Sequence, residues 1–321
     1  MKMKFISKLY HFNTTTKLNR GPIIKGNIRI SNSNNIIDDH FSDTIFKDMV
    51  GLLEFDYLLN GHYLYAISDL KENLSESKRI ETLNDYLKFT QFLCSAFWLI
   101  KDNSINCENG YLYISADSVE QNSVSSNMRT PFFSNALGER EDVLFTREEI
   151  EKTSELFGGF FINEGMQFTK DETHNYLYNR ATRIERFFYF LQSARTQSYL
   201  PSRIALYCTM IETIFCSEDN MEITHKIAER VGKFLGKDFD ERLTYFKTIK
   251  QAYTIRSSTV HGDKIKKSFR NDDILKQISV NLDSILRECI NKILLDKELI
   301  ELLEKGSNED LNKWYLELIL K

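Results

Sequence analysis

Proline and glycine are scarce in this chain, whose 321 residues include 3 prolines and 13 glycines. An all-β sandwich or barrel needs many tight turns, so this scarcity argues against such a fold and favours long helices. Long apolar runs are also missing. The longest, Phe92–Ile100, is far too short to span a bilayer, and no signal-peptide core follows the first lysines. We therefore expect a cytoplasmic protein with no membrane partner.

Cysteine occurs in an odd number and without any C-x-x-C pair, at Cys94, Cys107, Cys208, Cys216 and Cys289. This pattern predicts reduced, mostly buried thiols and argues against secretion and a thiolate zinc site. The nucleotide-binding patterns G-x-x-x-x-G-K-[ST] and G-x-G-x-x-G and the zinc-binding pattern H-E-x-x-H are absent as well. His225 and Glu229 lie four residues apart, a spacing more often seen in a helix surface contact than in a metal site. We predict no cofactor and no metal.

Charge is distributed unevenly, although the whole chain has a net charge of only −4. Residues 221–270 hold twelve Lys and Arg against six Asp and Glu, a net of +6, so the other residues carry −10. A basic segment in an acidic protein is a candidate binding surface for a polyanion. On charge alone, a solvated helix face is the more common explanation.

The first half of the chain mixes strand and helix patterns. Short β-branched and aromatic runs predict strands at Phe5–Phe12, Ile23–Ile30, Gly51–Leu59, His62–Ile67 and Gly110–Ser115. Asn60–His62 (NGH) between two of these runs is typical of a hairpin turn.

Helical periodicity begins at about residue 80. Ile80–Lys101 is predicted as a helix whose buried stripe is Leu83, Leu87, Thr90, Cys94 and Phe97. Residues 116–142 are polar and predicted as a long loop. Thr146 and Glu149 form a capping box that opens a short helix ending at Gly158–Gly159.

Helical patterns dominate the chain after about residue 170. We predict helices over Asn175–Tyr199, Pro201–Phe215, Glu222–Leu235 and Asp240–His261, over a long segment capped by Asn271 that reaches Asp296 and continues or kinks towards Glu304, and from Ser307 onwards. Gly236 and Gly262 are predicted left-handed C-caps. The predicted fold class is therefore α+β and mostly α, with a mixed α/β domain at 1–170 and a helical domain at 171–321.

The best candidate for chemistry is the pair Arg256 and His261, an R-x-x-x-x-H. The spacing by itself has little specificity, but the pair ends a predicted helix within the basic segment. Cleavage of a phosphodiester without metal needs a proton donor and acceptor and a fixed cation, which His and Arg supply. The simpler alternative is an Arg and a His that solvate a helix end.

Three stretches surround this pair, ALYCTMIETIF (205–215), KIAERV (226–231) and IKQAYTIRSSTVHG (249–262). Together they resemble the ApeA-like branch of the HEPN superfamily, over roughly residues 175–295. The resemblance implies a helical bundle that usually forms a homodimer with two Arg–His motifs in one cleft. Active members are metal-independent RNA endonucleases, many of them in toxin or anti-phage systems.

By this resemblance, His261 and Arg256 assist attack of a ribose 2′-OH on its phosphate to leave a 2′,3′-cyclic phosphate. Ser257 takes the place of a polar residue that often follows the arginine, and Glu212 orients Arg256. The partners implied are RNA such as tRNA, a second copy of the chain, and an antitoxin or a phage trigger. Lys264, Lys266, Lys267 and Arg270 are expected to hold RNA backbone.

Three alternatives remain open from the sequence. Glu212 pairs with Arg256 or, equally, forms a buried structural ion pair with Arg230. Five residues of ideal helix turn about 140° and rise about 7.5 Å, so either the helix loosens before His261 or the site is shared across a dimer. The domain is an RNA-cleaving enzyme, a non-catalytic module that binds RNA or a nucleotide or acts as a regulatory partner, or an unrelated helical scaffold.

Overall fold

The computed structural model describes residues 1–116, 118, 121–129, 131–161, 181–217 and 222–320. The fold is α+β, as predicted, and the chain divides into two units. The first comprises Met1–Phe133 with Arg140–Asn163, and the second Ser134–Glu139 with Glu164–Lys321. Within the described part of the chain, no helix combines the length and apolarity needed to cross a membrane.

The first unit is built on a six-stranded antiparallel sheet in the order β3-β4-β5-β1-β6-β7. Its strands are β1 (Lys2–Tyr10), β3 (Ile23–Lys25), β4 (Ile28–Ser31), β5 (His62–Asp69), β6 (Asn106–Ser115) and β7 (Ser123–Met128). A separate parallel pair joins β2 (Phe12–Thr14) to β8 (Val143–Phe145). Phe5 on β1 belongs to one apolar core and Ile6 to another, so the central strand is buried on both faces.

Helices cover each face of this sheet. The core around Ile6 includes Ile37, Phe46 and Phe55, which come in turn from the helices α1 (Asn34–His40), α2 (Thr44–Val50) and α3 (Leu52–Leu59). The core around Phe5 includes Leu87 and Ile150, which come from α4 (Glu76–Ala96) and α5 (Arg147–Phe161). A 3-10 turn at Phe97–Leu99 follows α4.

Several strand predictions in this unit are wrong. Gly51–Leu59 is helix α3, because its buried residues Phe55 and Leu58 lie three apart, whereas Leu52 and Leu53 are exposed. Asn60–His62 is consequently a helix-to-strand turn and not a hairpin. Residues 116–142 are not all loop, since β7 lies within them.

Positive backbone φ angles divide two of the predicted strands. His11 has φ 57° and separates β1 from β2. Gly26 has φ 57° and makes a hairpin of β3 and β4 where one strand was predicted.

The helix predictions for this unit fare better. All five residues of the predicted stripe from Leu83 to Phe97 are buried. The Thr146 hydroxyl accepts from Glu149 N, and the Glu149 carboxylate accepts from Thr146 N, as a capping box requires. Helix α5 runs to Phe161, past the predicted end at Gly158–Gly159.

The second unit is helical. Its helices are α6 (Arg183–Arg195), α7 (Leu200–Phe215), α8 (Ile223–Leu235), α9 (Phe239–His261), α10 (Asp272–Leu294), α11 (Lys297–Lys305) and α12 (Asn308–Leu320), with a 3-10 turn at Lys267–Phe269. Helix α7 is largely apolar and packs against α6, α9 and α10. Of the predicted helix Asn175–Tyr199, residues 175–180 lie outside the described residues.

Helix ends in this unit follow their caps. Gly262 has φ 74° and ends α9 in the predicted left-handed conformation. Gly236 has φ −75°, so its predicted left-handed cap is wrong. The predicted long helix breaks at Leu295–Asp296, because the Asp296 carboxylate caps a new helix by accepting from Glu298 N and Leu299 N.

The segment Ser134–Glu139 belongs to the helical unit, whereas the sequence predicts a single domain over residues 1–170. Ser134 N donates to Arg195 O at 2.8 Å, and Ser279 Oγ donates to Ala136 O at 2.6 Å. The fully buried guanidinium of Arg203 donates to Ser134 O and Asn135 O. These bonds bring six residues from within the first unit's sequence into the helical unit.

All five cysteines are free. Four are buried and Cys216 is partly exposed, as the sequence predicts.

Candidate functional site

Arg256 lies at the edge of the buried face of α9. Ala252, Tyr253 and Ile255 are buried on this helix, whereas the Arg256 side chain is 31% exposed to solvent. Its Nη2 lies 3.2 Å from Glu212 Oε1 and 3.3 Å from Glu212 Oε2. The guanidinium is therefore fixed by one carboxylate and still reaches solvent.

Glu212 comes from the C-terminal half of α7, 44 residues earlier in the chain. Its side chain is 19% exposed and accepts a second hydrogen bond from Tyr253 OH at 3.0 Å. Removing either Tyr253 or Arg256 as a donor leaves the charge of this largely buried carboxylate poorly compensated. We expect the loss to lower the free energy of unfolding by roughly 1–2 kcal/mol. The contact predicted to orient Arg256 is present.

Tyr253 is a site residue to which the sequence patterns assign no role. Its ring lies under the Arg256 guanidinium, 5.7 Å from centroid to Cζ. Burial, with the nearby Cys208 thiol and Glu212 carboxylate, raises the pKa of Tyr253 far above its usual value. The hydroxyl is therefore a constant donor. Its position three residues before Arg256, on the same face of a helix, was the available signal.

The Glu212–Arg230 ion pair, left open as an alternative, is wrong. Arg230 Nη1 donates to Phe215 O at 2.6 Å, and its guanidinium lies 3.9 Å from the Tyr315 ring centroid. Glu212 makes its ion pair with Arg256.

His261 and Ser257 are exposed residues of α9. The helix remains α-helical through His261, so it does not loosen before that residue. At about 100° per residue, Arg256 and His261 then point about 140° apart, so one chain does not bring the two side chains together.

The basic residues after α9 are exposed: Lys264, Lys266, Lys267 and Arg270. The guanidinium of Arg270 folds back, with Nε donating to Ile265 O at 2.7 Å. The segment presents its charges to solvent immediately after His261, close in sequence to the Arg–His pair.

His225 packs edge-on against Phe246, with the ring centroids 5.3 Å apart. Across the described residues, no group of three or more His, Cys, Asp or Glu side chains could hold a metal ion.

Comparison with protein-family models, with curated proteins and with solved structures finds no match to this chain.

Proposed function

We propose that the helical unit is a metal-independent RNA endonuclease of the HEPN type. The observation that carries this proposal is the fixed arginine. Arg256 is held by Glu212 and lies over Tyr253, yet about a third of its side chain faces solvent. A guanidinium fixed in this way is suited to stabilise negative charge that develops on a phosphate, because it needs little reorganisation.

In the proposed reaction, the ribose 2′-OH attacks the adjacent phosphorus while the bond from phosphorus to the 5′-oxygen breaks. A base takes the 2′ proton, and an acid returns a proton to the departing 5′-oxygen. His261 serves in one of these roles, since imidazole is the side chain most often used as a general acid or base. The products are a 2′,3′-cyclic phosphate and a 5′-hydroxyl. Ser257, exposed beside Arg256, is assigned a minor polar contact to the substrate.

The proposed site is completed by a second copy of the chain. Arg256 and His261 point about 140° apart on one continuous helix, so a single copy does not present both to one phosphate. A homodimer through the C-terminal helices brings Arg256 of one copy towards His261 of the other. Lys264, Lys266, Lys267 and Arg270 then hold RNA backbone.

The cellular setting is proposed from the family resemblance alone. It is a cytoplasmic toxin-like or anti-phage system that cleaves RNA such as tRNA and responds to an antitoxin or a phage trigger.

The direct test is cleavage of bulk tRNA in excess EDTA. Wild type should cut and leave 2′,3′-cyclic phosphates, whereas His261→Ala and Arg256→Ala should each lower the rate by about 10²-fold or more. Arg256→Lys should restore little, because a point charge does not replace a planar, multi-pronged donor. His225→Gln in the same unit is the matched control and should cleave like wild type.

A substrate with a 2′-deoxy sugar at the cut site should resist cleavage entirely, because the attacking group is missing. Cutting of that substrate, or a strict need for Mg²⁺, would overturn the mechanism.

A non-catalytic RNA-binding or nucleotide-binding module is the second candidate. The observation in its favour is that Nη2 of Arg256 is already engaged by Glu212, as in a structural ion pair. Binding of tRNA without any cleavage would favour this candidate.

A further inference from the structure

A cavity of about 440 Å³ opens at one end of the sheet in the first unit. It lies where β1 ends and β2 and β5 begin. Its walls include Lys8, Tyr10, His11, Phe12, His62 and Asp142. The volume falls within the range of sites for small organic molecules. Most of the lining is polar, and Leu9, Phe12 and Leu59 supply its apolar part.

His11 and Asp142 form a surface pair on this cavity, with side chains 29% and 66% exposed. His11 Nδ1 lies 3.2 Å from Asp142 Oδ1, and Asn13 Nδ2 donates to Asp142 Oδ2 at 3.1 Å. The Asp142 carboxylate thus has a partner on each oxygen. Because Nδ1 is committed to Asp142, Nε2 is the ring nitrogen of His11 that is left for a ligand. The backbone of His11 has φ 57°, a conformation that few non-glycine residues adopt.

His62 is held as a neutral imidazole. Its Nε2 lies 2.9 Å from Thr14 Oγ1 and 3.1 Å from Asn32 Nδ2. Burial is the main reason that the pKa of His62 is below its usual value, opposed by Asp142 and reinforced by Lys8. Lys8 is therefore the fixed positive charge on this cavity.

Lys8 extends over aromatic surface towards the cavity. Its Nζ lies 5.2 Å from the Tyr10 ring centroid and 4.9 Å from that of Tyr57. The end of the side chain passes so close to Gly61 that a Cβ there would meet Lys8 Cε at 2.8 Å. Within the described part of the chain, the ammonium has no hydrogen-bond acceptor, so its N–H groups remain available.

Both Lys8 and Tyr10 are donors at neutral pH. Burial lowers the pKa of Lys8, but the carboxylates of Glu54, Asp56 and Glu108 oppose this shift. Burial and the Glu108 carboxylate raise the pKa of Tyr10 to about 12, so its hydroxyl keeps its proton. An ammonium and a phenol hydroxyl on one cavity match the acceptor oxygens of a phosphate or carboxylate, and an imidazole adds a third donor in its doubly protonated form.

We propose that this cavity binds the oxyanion group of a small organic phosphate or carboxylate, with Lys8, Tyr10 and His11 as the donors. When both ring nitrogens of His11 carry protons, Nδ1 donates to Asp142 and Nε2 to the ligand. Phe12, with Leu9 and Leu59, contacts the organic part of the ligand. The site is independent of the nuclease proposed for the helical unit.

The test is an NMR titration of the full-length protein labelled in its histidine side chains. The probes are inorganic phosphate, citrate, and adenosine 5′-monophosphate paired with adenosine. At least one oxyanion should shift the His11 and His62 signals saturably, while adenosine should bind at least about tenfold more weakly than its monophosphate if the phosphate is the recognised group. Citrate and phosphate distinguish carboxylate from phosphate recognition.

Lys8→Met and His11→Asn should each weaken that binding by about tenfold or more, which corresponds to roughly 1.4 kcal/mol. Methionine keeps the stem that packs over Gly61, and asparagine tolerates a positive φ, so both variants preserve the local fold. Lys71→Met, an exposed lysine after the far end of β5, is the matched control and should bind like wild type.

The proposal is overturned if none of the oxyanions shifts His11 and His62. It is equally overturned if both variants bind the probe as tightly as wild type, because the ligand then lies elsewhere. Cleavage of tRNA by the same variants is a separate readout, so failure of this site and failure of the nuclease proposal are distinguished.

Discussion

Glu212 accepts hydrogen bonds from Tyr253 and Arg256, which both follow it by more than forty residues in the chain. The strength of these contacts can be measured as a change in the free energy of unfolding. Arg256→Ala and Glu212→Gln should each lower the unfolding free energy of the helical unit by about 1–2 kcal/mol. Together they should cost roughly 1 kcal/mol less than the sum, because each variant alone leaves the other group without its partner. Tyr253→Phe should cost about 1 kcal/mol for one lost hydrogen bond.

This prediction is measured by urea unfolding followed through Trp314, which stacks on Phe215 in the helical unit. Trp98 of the first unit is replaced by Phe in every variant, so the signal has one source. The exposed pair Lys305–Glu301 is the matched control, and its coupling should stay within about 0.5 kcal/mol. Strictly additive losses for Glu212 and Arg256 would show that their contact has no energetic weight.

Helix α9 carries both predicted catalytic side chains, and Gly262 determines where it ends. Gly262 has φ 74° and open space where a methyl group would lie, so Gly262→Ala should cost about 1 kcal/mol through backbone strain alone. Gly262→Asn should recover most of that loss, since asparagine accepts the left-handed conformation. Thermal unfolding of the three proteins measures the effect.

Gly236 provides the contrasting case for this prediction. Its φ is −75°, but a Cβ there would lie 2.8 Å from Arg242 N. Alanine and asparagine should therefore destabilise this position alike. If asparagine were better tolerated than alanine at Gly236, or no better than alanine at Gly262, the positive φ angle of Gly262 would not be the cause of its strain.

The basic segment after α9 is expected to contribute charge and not sequence recognition. Replacing Lys264, Lys266, Lys267 and Arg270 by Ala should weaken RNA binding and flatten its salt dependence, by at most about 0.7 in log–log slope per charge removed. Filter binding of one RNA over a series of salt concentrations measures the slope.

A triple Ala variant at Lys297, Lys305 and Lys313 on α11 and α12 is the control, since it removes exposed charge elsewhere in the same unit. Equal slopes for wild type and the quadruple variant would place the RNA path on another surface.

The whole molecule is expected to be a homodimer, and complementation tests which copy supplies each group. Mixing inactive Arg256→Ala and His261→Ala chains should restore roughly a quarter of wild-type cleavage after subunit exchange. About half of the dimers are then mixed, and each mixed dimer keeps one intact composite site. Light scattering at micromolar concentration should report two chains per particle before mixing.

Mixtures that stay inactive despite subunit exchange would show that Arg256 and His261 of the same copy act together. A strictly monomeric particle would exclude the shared site altogether.

Local chemistry in the sequence was enough to predict many elements. Periodicity placed the buried stripe of α4, and the side-chain caps at Thr146, Asn271 and Ser307 placed three helix starts. Each cap depends on bonds between residues two or three apart, so no knowledge of the fold was needed. The fold class followed from the same short-range patterns.

Only the tertiary structure decided features that depend on distant neighbours. The run at Leu52–Leu59 is apolar enough for a strand, and becomes a helix because Phe55 and Leu58 pack together against one face of the sheet. Arg230 is much nearer to Glu212 in the sequence than Arg256 is, yet Glu212 pairs with Arg256, because that pairing depends on how α7 meets α9. The cavity at His11 joins residues from positions 8 to 142, which no local pattern relates. Sequence determined where the helices cap and which faces are apolar, because those interactions are short-range, whereas the partners of buried charges were set by packing.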